Sequence, residues 1–330
     1  MAIIKKLLVT GVIVTLAAAG GFSWWTKHSL TTGGEPIEFT INPGSGVGAS
    51  TQQMVAAGVP INRTMFALLA RLTGDAGRIK AGSYELKPGA TPRSLLTQLV
   101  RGEFAHEAVT IIEGWTFRQM RQAISAHDRL KHDTVKLSDQ ELMGKISTEF
   151  KDPEGLFFPD TYLFAKGSSE IEIYRRAHQA MLAHLNTAWE RRNKELPYKS
   201  PYEALIMASI VEKETGQKSE RNMIAGVFVN RLRTGMLLQT DPTVIYGMGL
   251  RYEGKIAKKD LQTDTPYNTY TRYGLPPTPI ALPGVQSLGA ALAPAKSEAL
   301  YFVSRGNGTS QFSDNLTDHN RAVNQYQRRQ

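Results

Sequence analysis

The sequence predicts a mixed α+β fold with a single N-terminal transmembrane helix, a small strand–turn–helix module and a larger α+β domain in the second half. Three observations support this class. An uncharged apolar stretch begins the chain, a weak strand–turn–helix repeat recurs in the first half, and helical patterns alternate with β-prone and proline-rich segments in the second. At 330 residues, 41% of them hydrophobic and 21% charged, the chain is long enough for two or three domains.

The first element is an apolar segment that covers residues 7–26 and carries no charge. A helix of this length is about 30 Å long, which is enough to cross the hydrocarbon core of a bilayer. Lys5 and Lys6 precede it, and Trp24 and Trp25 close it where an interfacial aromatic belt would lie. We therefore predict a single-pass anchor in the cell inner (cytoplasmic) membrane.

The basic flank predicts that residues 1–6 form a cytoplasmic stub and that the rest of the chain is extracytoplasmic. The alternative is a cleaved signal peptide with residues 17–19 as its A-x-A site. Under both interpretations the remaining chain is exported. The net charge of +9 suggests an acidic partner, and export favours a membrane surface or cell wall over nucleic acid. The absence of cysteine excludes disulfides, thiolate nucleophiles and cysteine-bound zinc.

A strand–turn–helix unit recurs at residues 41–55, 86–100 and 111–124. In each copy a β-prone run meets a glycine turn, and a helix follows with apolar residues three and four positions apart. With an intervening helix at residues 63–72, this pattern predicts a compact βααβ-like module over residues 37–104. Ordinary α+β packing without a binding role is the alternative.

Residues 105–150 are predicted to form a connecting subdomain with helices near residues 117–124 and 138–150. Residues 151–330 form the larger domain. Within it, residues 238–247 place polar side chains before a β-prone run.

Glu214 is the most unusual acid of this half. Residues 202–215 (YEALIMASIVEKET) contain neither glycine nor proline, so they predict one helix that stops at Gly216. At about 100° per residue, three apolar side chains fall beside this carboxyl on the helical wheel: Met207, Ile210 and Val211.

Glu212 falls on the other side of the same wheel, with Ser209 and Leu205. We therefore expect Glu212 to face solvent, where its substitution is mild, and Glu214 to face the core or a cleft wall. Apolar neighbours disfavour the charged form of a carboxyl, so the pKa of Glu214 should rise far enough for proton donation near neutral pH. The alternative is a helix-end glutamate that pairs with Arg221.

Other chemistries lack a pattern. The seven histidines form no H-E-x-x-H motif and no pair four residues apart, so no metal site is predicted. No P-loop, G-x-G-x-x-G or G-x-S-x-G segment occurs, and no cofactor is expected.

A long segment, MASIVEKETGQKSERNMIAGVFVNRLRTGMLLQTDPTVIYGMG (207–249), together with YNTY (267–270) and GLPPTPI (274–280), resembles the endolytic murein transglycosylase (YceG-like) family. EGLFFPDTY (154–162) agrees, and the resemblance extends over nearly the whole chain. It implies a LysM-like module near residues 37–104 and a catalytic domain in the second half.

Other lytic transglycosylases place their catalytic glutamate before a serine at a helix end, and Glu214–Thr215 is the equivalent pair here. The resemblance and the helical wheel therefore select the same acid. The Gly-Leu-Met-Gln segment of lysozyme-like transglycosylases is missing, so a lysozyme-like fold is not expected.

The implied reaction needs one carboxyl. Glu214 protonates the oxygen that links N-acetylmuramic acid to N-acetylglucosamine, then accepts the proton of the muramyl C6 hydroxyl as that oxygen closes on C1. The product is a 1,6-anhydro end, because an intramolecular nucleophile replaces water. Tyrosine rings and amides on rigid loops suit sugars, and the glycan-contacting candidates are Gln239, Asp241, Tyr267, Asn268 and Tyr270.

The implied partners are peptidoglycan glycan strands and the membrane, with cell-wall synthesis proteins as further candidates and no nucleic acid. Two alternatives stay open. One is a membrane-anchored glycan-binding scaffold without catalysis. The other is a hydrolysing muramidase in which Asp241 is the second carboxylate. Action on nascent strands near the membrane, which would limit their length, is a hypothesis.

Overall fold

The chain forms two compact units. The first comprises residues 1–107 and 163–167, and the second comprises residues 108–162 and 168–330. The computed structural model describes residues 2–31, 33–214 and 217–327. Helices dominate and the strands are short, which confirms the mixed α+β class.

The first unit has the element order α-β-α-α-β-α: α1 Ala2–Lys27, β1 Ile37–Ile41, α2 Val47–Ala56, α3 Arg63–Leu72, β2 Gly82–Leu86 and α4 Pro92–Arg101. Strands β1 and β2 pair antiparallel, with Ile37 opposite Leu86 and Ile41 opposite Gly82. The helix α3 lies where the sequence predicts one. The core of this unit contains Phe39, Met54, Phe66, Tyr84 and Leu95, all buried.

Local signals explain why α4 forms. Thr91 and Ser94 make a capping box, Pro92 occupies the first turn, and Gly102 ends the helix at a φ of 73°. Its apolar stripe is buried in the core of the unit: Leu95, Leu96 and Leu99.

The helix α1 contains the stretch Val9–Lys27, whose 19 residues are long and apolar enough to cross a membrane; it is the one such helix in the described part of the chain. Large apolar side chains along it are exposed, including Val12, Ile13 and Leu16. At its C-terminal end, Phe22 and Trp25 pack against the core of the first unit.

Two of the remaining elements, the strands β3 and β4, pair with each other, and each is divided between the two units. The other elements belong to the second unit. Residues 108–162 belong to the same compact unit as most of the second half. The elements are β3 His106–Thr110, α5 Phe117–Ser125, α6 Asp139–Gly144, β4 Thr161–Ala165, α7 Glu170–Glu190, α8 Pro201–Glu214, α9 Arg221–Arg233, α10 Asp241–Met248, α11 Lys258–Gln262, α12 Val285–Leu292, β5 Tyr301–Ser304, β6 Ser310–Ser313 and α13 Leu316–Tyr326.

Two predicted elements are wrong. The helix predicted over residues 138–150 ends at Gly144. The β-prone run within residues 238–247 forms the helix α10 instead. Pro242 sits in the first turn of α10, where its missing N–H costs nothing and its fixed φ favours a helix.

The helix α8 is the centre of the second unit. Every residue from Ala204 to Val211 is buried, including Leu205 and Ser209, because α7, α9, α10 and α12 pack around it. The prediction of a solvent face on this helix is therefore wrong. Ser209 is accommodated because its hydroxyl donates to Ile206 O and accepts the N–H of Ile280.

Candidate active site

Glu214 is the last residue of α8 and is half-buried. Its Oε2 atom accepts a hydrogen bond from Thr240 Oγ1 at 2.9 Å. Thr215, the second member of the predicted Glu–Thr pair, and Gly216, the predicted stop, lie outside the described residues.

Burial and three neighbouring residues act on the pKa of Glu214, and the net direction is upward. Burial is the largest cause, and the negative charge of Asp241 also raises this pKa. The hydrogen bond from Thr240 and the positive charge of Arg231 lower it by smaller amounts. The carboxyl therefore holds its proton at a higher pH than an exposed glutamate does.

A buried cluster of three threonines fixes the hydroxyl that contacts Glu214. The N–H of Thr240 donates to Thr269 Oγ1 at 3.1 Å, and Thr243 Oγ1 donates to Thr240 O at 2.7 Å. The hydroxyls of Thr243 and Thr269 are 2.8 Å apart. Thr240 precedes α10 at the N-cap position, yet its hydroxyl bonds Glu214 and makes no cap. Thr240 therefore lacks the cap hydrogen bond that would stabilise the start of α10, and its hydroxyl bonds the Glu214 carboxyl instead.

Gln239 has a φ of 50°, which makes it the one non-glycine residue with positive φ among residues 2–31, 33–214 and 217–327. Such a conformation costs free energy and persists only where the surroundings hold it. The N–H of Gln239 donates to Thr269 O at 3.1 Å, and Arg231 Nη1 donates to Leu238 O at 2.6 Å. These bonds fix the turn that brings Thr240 to Glu214.

Glu212 has a different environment from the predicted one. Only 6% of its side chain is exposed, and its carboxylate pairs with Arg221 at 3.1 Å. The same carboxylate accepts the N–H of Gly284 at 3.0 Å, immediately before α12. The expected solvent position of Glu212 is wrong because α12 covers that face of α8. Arg221, the alternative partner of Glu214, is the partner of Glu212.

A cavity of about 860 Å³ opens in front of Glu214. Three of the five glycan-contacting candidates line it: Gln239, Asp241 and Tyr270. The Tyr270 hydroxyl donates to Asp241 Oδ1 at 2.6 Å, which holds the ring and the carboxylate beside each other. The volume lies within the range of about 300–1,000 Å³ that ligand pockets show.

The other two candidates do not line this cavity. Asn268 is 1% exposed, and its amide donates to the backbone oxygens of Asp260, Leu261 and Thr263. The Tyr267 hydroxyl bonds Thr278 at 2.9 Å. Both side chains hold their own loops in place.

The fold of the second unit places one carboxyl with a raised pKa in a cavity bordered by amide, hydroxyl and aromatic groups. Residues 39–325 match the family model of the YceG-like family. The chain belongs to the YceG-like family. This membership confirms the resemblance found in the sequence.

Named relatives agree. The endolytic murein transglycosylase of Bacillus subtilis (strain 168) is 33% identical over 319 residues, which cover 91% of this chain and 86% of the relative. The endolytic murein transglycosylase of Streptococcus pneumoniae serotype 2 is 28% identical over 282 residues, or 74% of this chain and 50% of the relative. A crystal structure of a YceG-like protein from Listeria monocytogenes aligns with a TM-score of 0.57 at 34% identity, covering 87% of this chain and 98% of that one.

In this YceG-like chain, more than half of the residues that line the cavity come from a region that the sequence did not single out. We call them the C-terminal wall, which is formed by β5, β6, the loop between them and α13: Tyr301, Phe302, Val303, Ser304, Gly308, Thr309, Ser310, Leu316, His319, Asn320, Val323 and Gln327. The remaining lining residues are Gln217, Glu220, Ile224 and Arg231. The strands of this wall are four residues long and give little periodic signal.

Arg231 joins the parts of the site. It is buried on α9, where Nε donates to Leu300 O at 2.7 Å and Nη1 donates to Leu238 O. Its guanidinium lies 5.4 Å from the ring centre of Tyr301. The available sequence signal for this role was an arginine three, four and seven residues after the apolar Phe228, Val227 and Ile224 of the same helix.

Glu154 is a second buried carboxyl, in the EGLFFPDTY turn. Burial raises its pKa to about 7, although it accepts hydrogen bonds from the N–H of Phe117 at 2.9 Å and the hydroxyl of Tyr246 at 3.1 Å. It does not line the cavity. Among the described residues, no group of three or more histidine, aspartate or glutamate side chains could hold a metal ion.

Proposed function

We propose that this protein is an endolytic murein transglycosylase that cleaves the β-1,4 bond between N-acetylmuramic acid and N-acetylglucosamine without water, with Glu214 as its only acid/base. The names of the relatives support the reaction class. The observation that carries the residue assignment is the half-buried Glu214 carboxyl, with its raised pKa, on the wall of the cavity.

The geometry suits a single-carboxyl mechanism. Among the described residues Thr240 bonds Oε2, and the mechanism assigns the proton to Oε1. Oε1 donates this proton to the glycosidic oxygen as the bond from muramyl C1 to that oxygen breaks. The carboxylate that forms is stabilised by the Thr240 hydroxyl and by the positive charge of Arg231.

The muramyl C6 oxygen then bonds to C1, and its proton passes to Glu214, so the carboxyl is restored and no water is consumed. An intramolecular nucleophile has a high effective molarity, which removes the need for a second carboxylate that activates water. Gln239, Asp241 and Tyr270 are the proposed sugar contacts beside the acid. Tyr267 and Asn268 serve by fixing the loops that present Thr269 and Tyr270.

The deciding experiment is mass spectrometry of peptidoglycan digested by the full chain in detergent, beside the Glu214→Gln variant. Anhydro-muramyl ends from the unmodified chain alone would support the proposal. Reducing ends would indicate the hydrolysing muramidase, and Asp241→Asn would then test the second carboxylate. No cleavage by either protein would favour the scaffold. Glu190→Gln, an exposed glutamate at the end of α7, is the matched control.

The proposal places α1 in the cell inner membrane, with residues 1–6 cytoplasmic and the catalytic domain, residues 151–330, outside. The charge-free apolar segment supports it. Because the chain has no cysteine, a single Glu190→Cys variant can be probed with a membrane-impermeant thiol reagent in intact cells. Labelling only after the cytoplasm is opened would contradict this orientation.

The proposal further assigns residues 37–104 to a LysM-like glycan-binding module that residues 105–150 connect to the catalytic domain. Photocrosslinking of glycan strands followed by peptide mapping tests it, and crosslinks confined to the second unit would contradict it.

Anchoring would restrict cleavage to nascent strands and limit their length. If deletion of residues 1–26 leaves strand lengths in the wall unchanged, this restriction is wrong. Cell-wall synthesis proteins are the candidate partners, and co-purification with the full chain tests them.

A further inference from the structure

The C-terminal wall shares one cavity with Glu214 but has a different chemical character. Glu214, Glu220, Arg231 and Asp241 give the rest of the cavity lining four ionisable groups. The described residues of the C-terminal wall include no aspartate, glutamate, lysine or arginine. In a chain of which 21% is charged, this composition favours a neutral ligand.

The side chains that this wall presents are hydroxyls, an amide and aliphatic groups. Ser304, Thr309 and Asn320 offer hydrogen-bonding groups, and Leu316 and Val323 lie beside them on α13. Leu316 is 55% exposed and lines the cavity, so it offers apolar surface to a ligand there. Sugars combine hydroxyl edges with apolar C–H faces, so this mixture matches a saccharide better than a charged stem peptide.

His319 adds a second observation. Its ring stacks on Tyr301 with centres 5.1 Å apart, and its Nδ1 atom is buried without a hydrogen-bond partner. Burial and the nearby Arg231 lower the pKa of His319, so the ring is neutral at neutral pH. An unpaired buried polar atom is costly, so a bound sugar gains free energy if a small rotation of this ring brings Nδ1 to one of its hydroxyl or acetamido N–H groups.

The C-terminal wall is held firmly to the acid side of the cavity. Arg231 donates to Leu238 O before the Gln239 turn and to Leu300 O before β5. Glu220 accepts the N–H of Ser310 at 2.8 Å. These bonds fix the spacing between the two sides, as a preorganised binding site requires.

We propose that the C-terminal wall is a saccharide subsite, which binds the sugar residues on one side of the scissile bond while Gln239, Asp241 and Tyr270 bind those on the other. The position of the bond rests on the proposed function, whereas binding by the wall does not require cleavage. Leu316 packs on the apolar face of an N-acetylhexosamine, and Asn320 bonds its hydroxyl or acetamido groups.

The test is calorimetric titration of full-length protein carrying Glu214→Gln with oligosaccharides of N-acetylglucosamine, which carry no charge. Adding Leu316→Ala and Asn320→Ala should raise Kd by about tenfold or more, as loss of a hydrogen bond and apolar contacts does. Thr317→Ala with Gln325→Ala is the matched control, because both residues are exposed on α13 and do not line this cavity. Equal melting temperatures would show that both double variants fold.

An unchanged Kd for the Leu316/Asn320 variant would overturn the subsite. Displacement of the oligosaccharide by free stem peptide, with loss of peptide affinity in the same variant, would overturn its saccharide specificity. If the affinity falls as expected while the unmodified chain produces no anhydro ends, the proposed function fails and the subsite stands. In the enzyme that retains Glu214, Leu316→Ala together with Asn320→Ala should raise KM by a larger factor than it lowers kcat.

Discussion

Glu212 and Glu214 lie two residues apart at the end of α8, and the regions around them differ in one respect that decides their roles. Around Glu212, α12 and Arg221 close over the carboxylate, so a buried guanidinium and a backbone N–H satisfy its charge. Around Glu214 the described residues supply one hydroxyl, from Thr240, and the carboxyl borders a cavity. The Glu212 carboxylate is closed off by its partners, whereas the Glu214 carboxyl, desolvated beside a neutral donor and open to a cavity, can exchange a proton with a ligand.

The largest expected effect is on activity at the Glu214 side. Glu214→Gln removes the only proton donor of the proposed mechanism, so kcat should fall by about 10³-fold or more, near the upper range for general acid–base catalysis. The amide can still accept from Thr240, so the melting temperature should change little. Anhydro-end release over time and calorimetry measure the two quantities. A fully active variant would refute the assignment.

Substitution of Glu212 should lower the stability of the fold instead. Glu212→Gln leaves Arg221 buried without its counter-charge, which should lower the free energy of unfolding by about 3 kcal/mol. Urea unfolding monitored by circular dichroism gives this value. The expectation of a mild effect, drawn from the helical wheel, is thereby reversed.

A double-mutant cycle that combines Glu212→Gln with Arg221→Gln tests the cause of this loss of stability. If the double variant is no less stable than Glu212→Gln alone, the loss comes from the unpaired guanidinium. Equal loss of activity in the folded fractions of the Glu212 and Glu214 variants would erase the distinction between the two sides.

The next prediction, with a smaller effect, concerns the hydrogen bond from Thr240 to Glu214. Thr240→Val removes a hydrogen bond that favours the charged form of Glu214, so the pKa of the acid should rise. The protonated form is required, and the rate falls as pH increases through this pKa. The basic limb of the kcat profile should therefore move to higher pH, with activity at the optimum reduced by about tenfold.

Thr240→Ser keeps the hydroxyl and should restore the pH profile. A basic limb that stays in place in Thr240→Val, with activity lost through unfolding alone, would assign Thr240 to the threonine cluster and not to the acid.

The smallest effect should come from substitution of Glu154, a carboxyl intermediate between Glu212 and Glu214. It is buried and accepts hydrogen bonds from the neutral donors Phe117 N–H and Tyr246 hydroxyl, but it does not line the cavity. Burial raises its pKa from 4.5 to about 7, so the folded state binds a proton that the unfolded chain releases. The stability from this group is fully present below pH 4.5 and is lost as pH rises through about 7. Glu154→Gln should flatten this decline, measured by unfolding across that pH window, and the exposed Glu190→Gln should not.

Features that depend on neighbours in the chain could be read from the sequence. The helix α3 and the capped helix α4 lie where their caps, apolar spacing and glycine stop predict them, because these contacts span only a few residues. Glu214 was selected by its apolar neighbours at three, four and seven residues, and it does lie on the cavity wall. Yet the premise of a solvent face on α8 was wrong.

The features that could not be predicted from the sequence depend on the three-dimensional path of the chain. The orientation of Glu212 is decided by Gly284 and Arg221, which no helical wheel contains. Tyr270 faces the cavity while Asn268, two residues earlier, is used up by backbone oxygens of its own loop. Both residues belong to the YNTY segment, and the path of the loop decides which of them reaches the cavity.

The sequence by itself therefore determined the family, the α+β class and the candidate acid, because a 43-residue segment and a helical period are local patterns. Tertiary structure alone decided how that acid is tuned. Thr240, Arg231 and the C-terminal wall reach the Glu214 cavity from segments 17 to more than 100 residues away, and the desolvation and hydrogen bonds that shift a pKa depend on distance in space.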